Sequence, residues 1–187
     1  MEESQLNKKI SEHIITLVKE KNVYLFCPCF EDYHIINKIL LKELTIRYSL
    51  TGVYITLSQD YTTLQSHLKK KGIDVSKLYF IEGNIRKNGK TSRTGSCTSI
   101  SSNSLTELSL VITDTMNNGK FDFLFLDSIS TLLMHNNIKT TELFIQYIIS
   151  KLREYDLMGI FISLKEDEES NKLIPILSQF CDKCIKL

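Results

Sequence analysis

The stretch FDFLFLDSIS, Phe121 to Ser130, decides how this chain is read. A short apolar run ends in an aspartate and a serine. Hydrophobicity with little polar alternation marks a strand buried on both faces, as in a parallel sheet. Open α/β sheets hold their ligands beyond the carboxyl ends of such strands. Asp127 and Ser128 are therefore the first candidate site residues.

Working outward, the same kind of run recurs at Val23 to Phe26, in VYITL after Gly52, in KLYFIEG over 77–83, in IFISL after Gly159, and from Lys183 to Leu187. Between these runs the apolar residues change to helical spacing. Leu6, Ile10, Ile14 and Leu17 align over 4–18, and Tyr33, Ile36, Leu40 and Leu44 over 32–48. Ser58 or Asp60 caps the next helix, which carries Tyr61, Leu64 and Leu68 and stops at Gly72. Ser104-x-x-Glu107 has the form of a capping box, opening a helix that Gly119 ends. Phe144, Ile148 and Leu152 align over 141–155, and a short helix covers Leu173 to Phe180 after the acidic turn Glu166 to Glu169. Repeated strand–helix units predict an α/β fold: three αβα layers around a mostly parallel sheet.

Residues 84–103, NIRKNGKTSRTGSCTSISSN, break the pattern. They are rich in Ser, Thr, Asn and Gly and read as a polar loop. Arg86, Lys87, Lys90 and Arg93 make it basic and are the candidate nucleic-acid-binding residues. No aromatic side chains interleave them to stack bases, so a solvated loop is the plainer reading. Gly89-Lys90-Thr91 copies the end of a phosphate-loop motif. Position 84, where the motif needs its first glycine, is Asn, and no apolar helix follows at once.

Composition narrows the function classes. The chain has 187 residues, 42% hydrophobic and 24% charged, with a formal net charge of +1. That length suits one domain with a sizeable core. Near-neutral charge gives no support for broad binding to nucleic acid or membrane. No apolar run reaches membrane-helix length, and the polar start MEESQLNKKI is unlike a signal peptide, so the expectation is a cytoplasmic protein without membrane insertion. The five cysteines are Cys27, Cys29, Cys97, Cys181 and Cys184. A zinc site joining Cys27 and Cys29 to Cys181 and Cys184 is disfavoured, because the last strand is expected toward the opposite edge of the sheet from the first. The cysteines read instead as small buried hydrophobes. His34, His67 and His135 are scattered and suggest no hydrolytic arrangement.

The order of elements resembles the RecA-like ATPase superfamily, and within it the small archaeal proteins related to KaiC and RadA. The resemblance covers roughly residues 20–187 and is carried by SNSLTELSLVITDTM before FDFLFLDSISTLL, and by the ending GIFISL, acidic turn, short helix and DKCIKL. It implies a single RecA-like domain over 1–187, with an N-terminal helix over 1–19 and the polar loop over 84–103. It also implies that Asp127 matches a magnesium-associated aspartate and Ser128 its neighbour. Such families wrap phosphates in a glycine-rich loop after the first strand, with a lysine for charge. Here that segment is Cys27-Pro28-Cys29-Phe30-Glu31-Asp32-Tyr33-His34, without glycine or lysine, and Tyr33 and His34 stand near the lysine and threonine positions. Glu31 and Asp32 would repel a phosphate at the start of the following helix. The second strand ends in Thr56-Leu57-Ser58-Gln59-Asp60, where the family has water-orienting acids. Asp60 is the substitute on offer, with helix capping its plainer role.

Three readings follow. The first is a non-catalytic domain that regulates or scaffolds through a protein partner or self-association, with no cofactor and with Asp127 and Ser128 vestigial. The second is a divergent ATPase that holds ATP and magnesium through Asp127, Asp60 and the 89–93 segment. The third is a nucleic-acid-binding member that uses the basic loop.

Overall fold

The computed structural model describes residues 3–83, 91–100, 104–165 and 168–187, with side chains from Gln5 onward. Helix α1 (Glu3–Glu20) leads into strand β1 (Val23–Cys27). Then come α2 (Phe30–Lys42), which runs on into a π-helical turn (Glu43–Arg47), and β2 (Gly52–Thr56). Next are α3 (Tyr61–Lys70), β3 (Leu78–Gly83), β4 (Ser92–Thr94), β5 (Cys97–Ile100) and α4 (Leu105–Asn118). The chain continues through β6 (Phe123–Asp127), α5 (Ile129–Leu133), α6 (Ile138–Glu154), β7 (Met158–Ile162), α7 (Glu168–Leu177) and β8 (Lys183–Lys186).

The eight strands among the described residues join one sheet in the order β4-β5-β3-β2-β6-β7-β1-β8. Every pairing is parallel except β4 with β5. Residues one apart on a strand face opposite ways, and the sequence sorts itself accordingly. Tyr24, Phe26, Tyr54, Phe80, Phe123 and Phe125 give one face an aromatic surface against α1, α2 and α3. Val23, Leu25, Val53, Ile55, Leu124 and Leu126 give the other an aliphatic surface against α4, α5, α6 and α7. These two cores make the three layers, as the strand–helix alternation predicts. No helix among the described residues is long and apolar enough to cross a membrane.

Two expectations change. The segment read as a polar loop over 84–103 contains the antiparallel pair β4 and β5, turned through Gly95 at φ +52°. Its Ser and Thr content hides the strands, yet Cys97, Thr98 and Ile100 are buried against β3. The remainder, 84–90 and 101–103, lies outside the described residues. The placement of the last strand is also corrected. β8 is an edge strand, but it pairs in parallel with β1 and so lies beside it. The crossover through α7 carries the chain past β1 and adds β8 to the free side of that strand.

Candidate functional site

Strand parity positions Asp127. It follows Phe123 and Phe125 at two-residue steps and so faces the α1–α3 layer from the carboxyl end of β6. On β2, Thr56 stands opposite Asp127 and Tyr54 opposite Phe125. Tyr54 shares the face of Asp127 and stacks on Phe125 at 5.1 Å between ring centres. Tyr33 projects from the first turns of α2. The two phenols donate hydrogen bonds to the two carboxylate oxygens: Tyr33 Oη to Asp127 Oδ1 and Tyr54 Oη to Oδ2. Asn37, one helical turn beyond Tyr33, adds its side chain to the same group.

A buried charge needs such partners. Asp127 is 8% exposed. Burial pushes its carboxyl above the ordinary value, while the bonds from Tyr33, Tyr54 and Asn37 and the nearby His34 pull it back down. Both phenols are pushed up in turn, by burial first and then by the charge of Asp127. Beside the cluster lies a cavity of about 50 Å³, lined among others by Tyr33, His34, Asn37, Lys38 and His67. Two of the histidines read as scattered, His34 and His67, thus meet at one cavity.

The loop after β1 is built for closure. Pro28 is buried and its carbonyl accepts from Lys165 N at 3.2 Å. Cys29 is the N-cap of α2 but makes no side-chain cap bond; its Sγ donates to Asp32 Oδ2 at 3.3 Å. Glu31 and Asp32 occupy the first turn, where a helix would otherwise offer its positive end to an anion.

The remaining candidates fall in separate places. Ser128 caps α5, its Oγ accepting from Thr131 N at 3.4 Å, and the Asp127–Ser128 peptide bond is cis. Asp60 caps α3, accepting from Thr63 N at 3.0 Å and Thr62 Oγ1 at 2.6 Å, and these donors hold its carboxyl well below the usual range. Thr56 Oγ1 and the backbone of Gln59 close a turn on each other. Arg93 lies on β4, at the far edge of the sheet from β8, and forms an ion pair with Asp114 of α4. Arg86, Lys87 and Lys90 lie outside the described residues. Among the described residues, no group of three or more His, Cys, Asp or Glu side chains is placed to hold a metal ion.

Tyr54, like Asn37, is a site residue that the sequence reading passed over. Its signal was available only through register, because a tyrosine inside a buried strand needs a partner for its hydroxyl. The cysteines are also rearranged. Cys27 Sγ lies 3.8 Å from Cys184 Sγ, since β8 borders β1.

Comparison with known proteins agrees with this architecture. The family described as ATPase: KaiC matches residues 40–187. The match includes Asp127 and Ser128 and begins after the loop Cys27 to His34. The crystal structure of a KaiC-like protein from the hyperthermophilic archaeon Pyrococcus horikoshii is similar, with a TM-score of 0.64 at 14% identity, over 89% of this chain and 70% of that one. At such identity the likeness concerns the fold. No curated protein matches the chain.

Proposed function

The chain belongs to the KaiC family of the RecA-like ATPase superfamily, and from that premise we propose that it is a non-catalytic member, acting as a regulatory or scaffolding protein through contacts with a protein partner or with copies of itself. One observation carries this reading: both oxygens of Asp127 accept phenolic hydrogen bonds, one of them from Tyr33 on the helix after β1. By the family resemblance, an active member would use the loop after β1 to hold phosphate and the aspartate to hold magnesium. Here a tyrosine bonds the aspartate directly.

The residues present do not fit a magnesium nucleotide. Phosphate loops converge backbone N–H groups on oxygens and add a lysine. The segment Cys27 to His34 supplies neither glycine nor lysine, and Glu31 and Asp32 oppose an anion. Ligand pockets of nucleotide size run to several hundred Å³, at least about 300 Å³. The cavity against Asp127 is about 50 Å³, and the larger one beside Cys27, about 380 Å³, is lined by neither Asp127 nor Tyr33. Protein contact is the remaining mode that the family's habit of side-by-side assembly supports.

Thermal denaturation with magnesium-ATP and magnesium-ADP tests the first half. A ligand at a hundredfold its dissociation constant adds about 2.7 kcal/mol, so real binding would be plain to see. We expect no shift. A magnesium-dependent rise in Tm that vanishes in Asp127→Asn would establish nucleotide binding instead. Sedimentation velocity and partner capture then address the second half. A chain that stays monomeric and retains no protein at any concentration would remove the scaffolding reading.

A further inference from the structure

Cys27 ends β1 and Cys184 lies in β8. The register sets Cys184 opposite Leu25 and Cys27 opposite Lys186. Residues two apart share a face, so both thiols turn toward the α4–α7 layer and their sulfurs come within 3.8 Å. Neither is in a disulfide. The two differ in access: Cys27 is fully buried, whereas Cys184 is partly exposed on an edge strand of four residues. A cavity of about 380 Å³ opens beside Cys27 and is lined among others by Lys165 and Lys186.

Their acidities diverge accordingly. The hydrogen bond from Cys27 brings the Cys184 thiol down to about 7, against burial and with help from Lys186. The same bond, together with burial, pushes Cys27 far up. Access points the same way: the partly exposed Cys184 is the sulfur a solute can reach, with the buried Cys27 sulfur 3.8 Å behind it. Partial exposure in an electropositive setting is what separates reactive cysteines from inert buried ones.

We propose that Cys27 and Cys184 form an oxidation site for hydroperoxides, closing a disulfide between β1 and β8. The Cys184 thiolate attacks a peroxide oxygen. A sulfur–oxygen bond forms, the oxygen–oxygen bond breaks, and hydroxide leaves from hydrogen peroxide. Sulfur is oxidised to sulfenic acid and the peroxide is reduced. The Cys27 thiol then attacks the Cys184 sulfur. The sulfur–sulfur bond forms and the sulfur–oxygen bond breaks. The departing hydroxide and the Cys27 proton leave as water. Closure to a bond of about 2.05 Å requires the sulfurs to approach, and β8, paired on one side only, is the element free to move.

The test treats the full chain with hydrogen peroxide and maps its peptides under non-reducing conditions. The expected product is a Cys27–Cys184 linked peptide, with Cys29, Cys97 and Cys181 still alkylatable. In Cys27→Ala, Cys184 should stop at a sulfenic acid that dimedone traps. In Cys184→Ser, Cys27 should remain a thiol. Iodoacetamide labelling of the untreated protein gives a second readout: the Cys184 rate should rise through a midpoint near pH 7, and that midpoint should move up in Cys27→Ala. A wild-type product linking another pair, a lasting dimedone adduct on wild-type Cys184, or a Cys184 midpoint at the ordinary thiol value of about 8.5 would each overturn the proposal.

Discussion

A carboxylate that is 8% exposed loses most of its hydration, and Asp127 recovers it from Tyr33, Tyr54 and Asn37. A hydrogen bond to a charged group contributes about 1.5–3 kcal/mol, so Tyr33→Phe should lower unfolding free energy by about that amount. Urea denaturation at neutral pH measures it, and a loss below about 0.5 kcal/mol, the floor for even a neutral hydrogen bond, would mean the phenol is a bystander. Titration supplies a further prediction. Burial raises the Asp127 carboxyl, so the folded chain holds this proton more tightly than the unfolded chain. The group's contribution is fully present below its unfolded value of about 3.9 and is lost as pH rises through the folded value. Asparagine does not titrate. The Tm of Asp127→Asn minus that of wild type should therefore increase with pH across this window. A difference that falls with pH would show that the phenols and Asn37 outweigh burial.

At the scale of elements, close packing turns single atoms into constraints. Gly52 opens β2 opposite Phe123 of β6. A Cβ at position 52 would stand 2.2 Å from Phe123 Cζ, and that ring is fully buried. Gly52→Ala should cost about 1–3 kcal/mol by overpacking, read as a lower urea midpoint; an unchanged midpoint would mean the ring has room to turn. The elements that sequence reveals are those with one dominant periodicity. Strands β1, β2, β6 and β7 are buried along their whole length and so read as apolar runs. The Ser104 cap of α4 shows as a local pattern, its Oγ accepting from Glu107 N at 3.3 Å. The pair β4 and β5 stays hidden, because β4 is wholly exposed and β5 is built from Thr and Ser as much as from Cys and Ile. The π-helical turn after α2 gives no signal, since it keeps helical composition. At the site, the loss of glycine and lysine after β1 is visible in the letters. The bonds from Tyr33 and Tyr54 are not, because they depend on β2 lying beside β6 and on α2 reaching across β7.

At the scale of the whole molecule, charge decides how the chain meets nucleic acid. A net charge of +1 provides little long-range attraction for phosphates. Of the four basic residues in the 86–93 segment, Arg93 is already paired with Asp114 across the β4–α4 contact. Releasing it would exchange one anionic partner for another, so it adds little to binding. That leaves this segment at most three other basic residues, Arg86, Lys87 and Lys90, to displace counterions. Each phosphate contact on a single strand contributes about 0.7 to the slope of log K against log salt. Fluorescence anisotropy with a labelled single strand should therefore give weak binding with a slope no steeper than about −2. Asp114→Asn, which frees Arg93, should steepen that slope by about 0.7. A steeper slope in the wild type, lost in Arg93→Gln, would show that Arg93 prefers phosphate to Asp114 and would favour the nucleic-acid reading over protein contact.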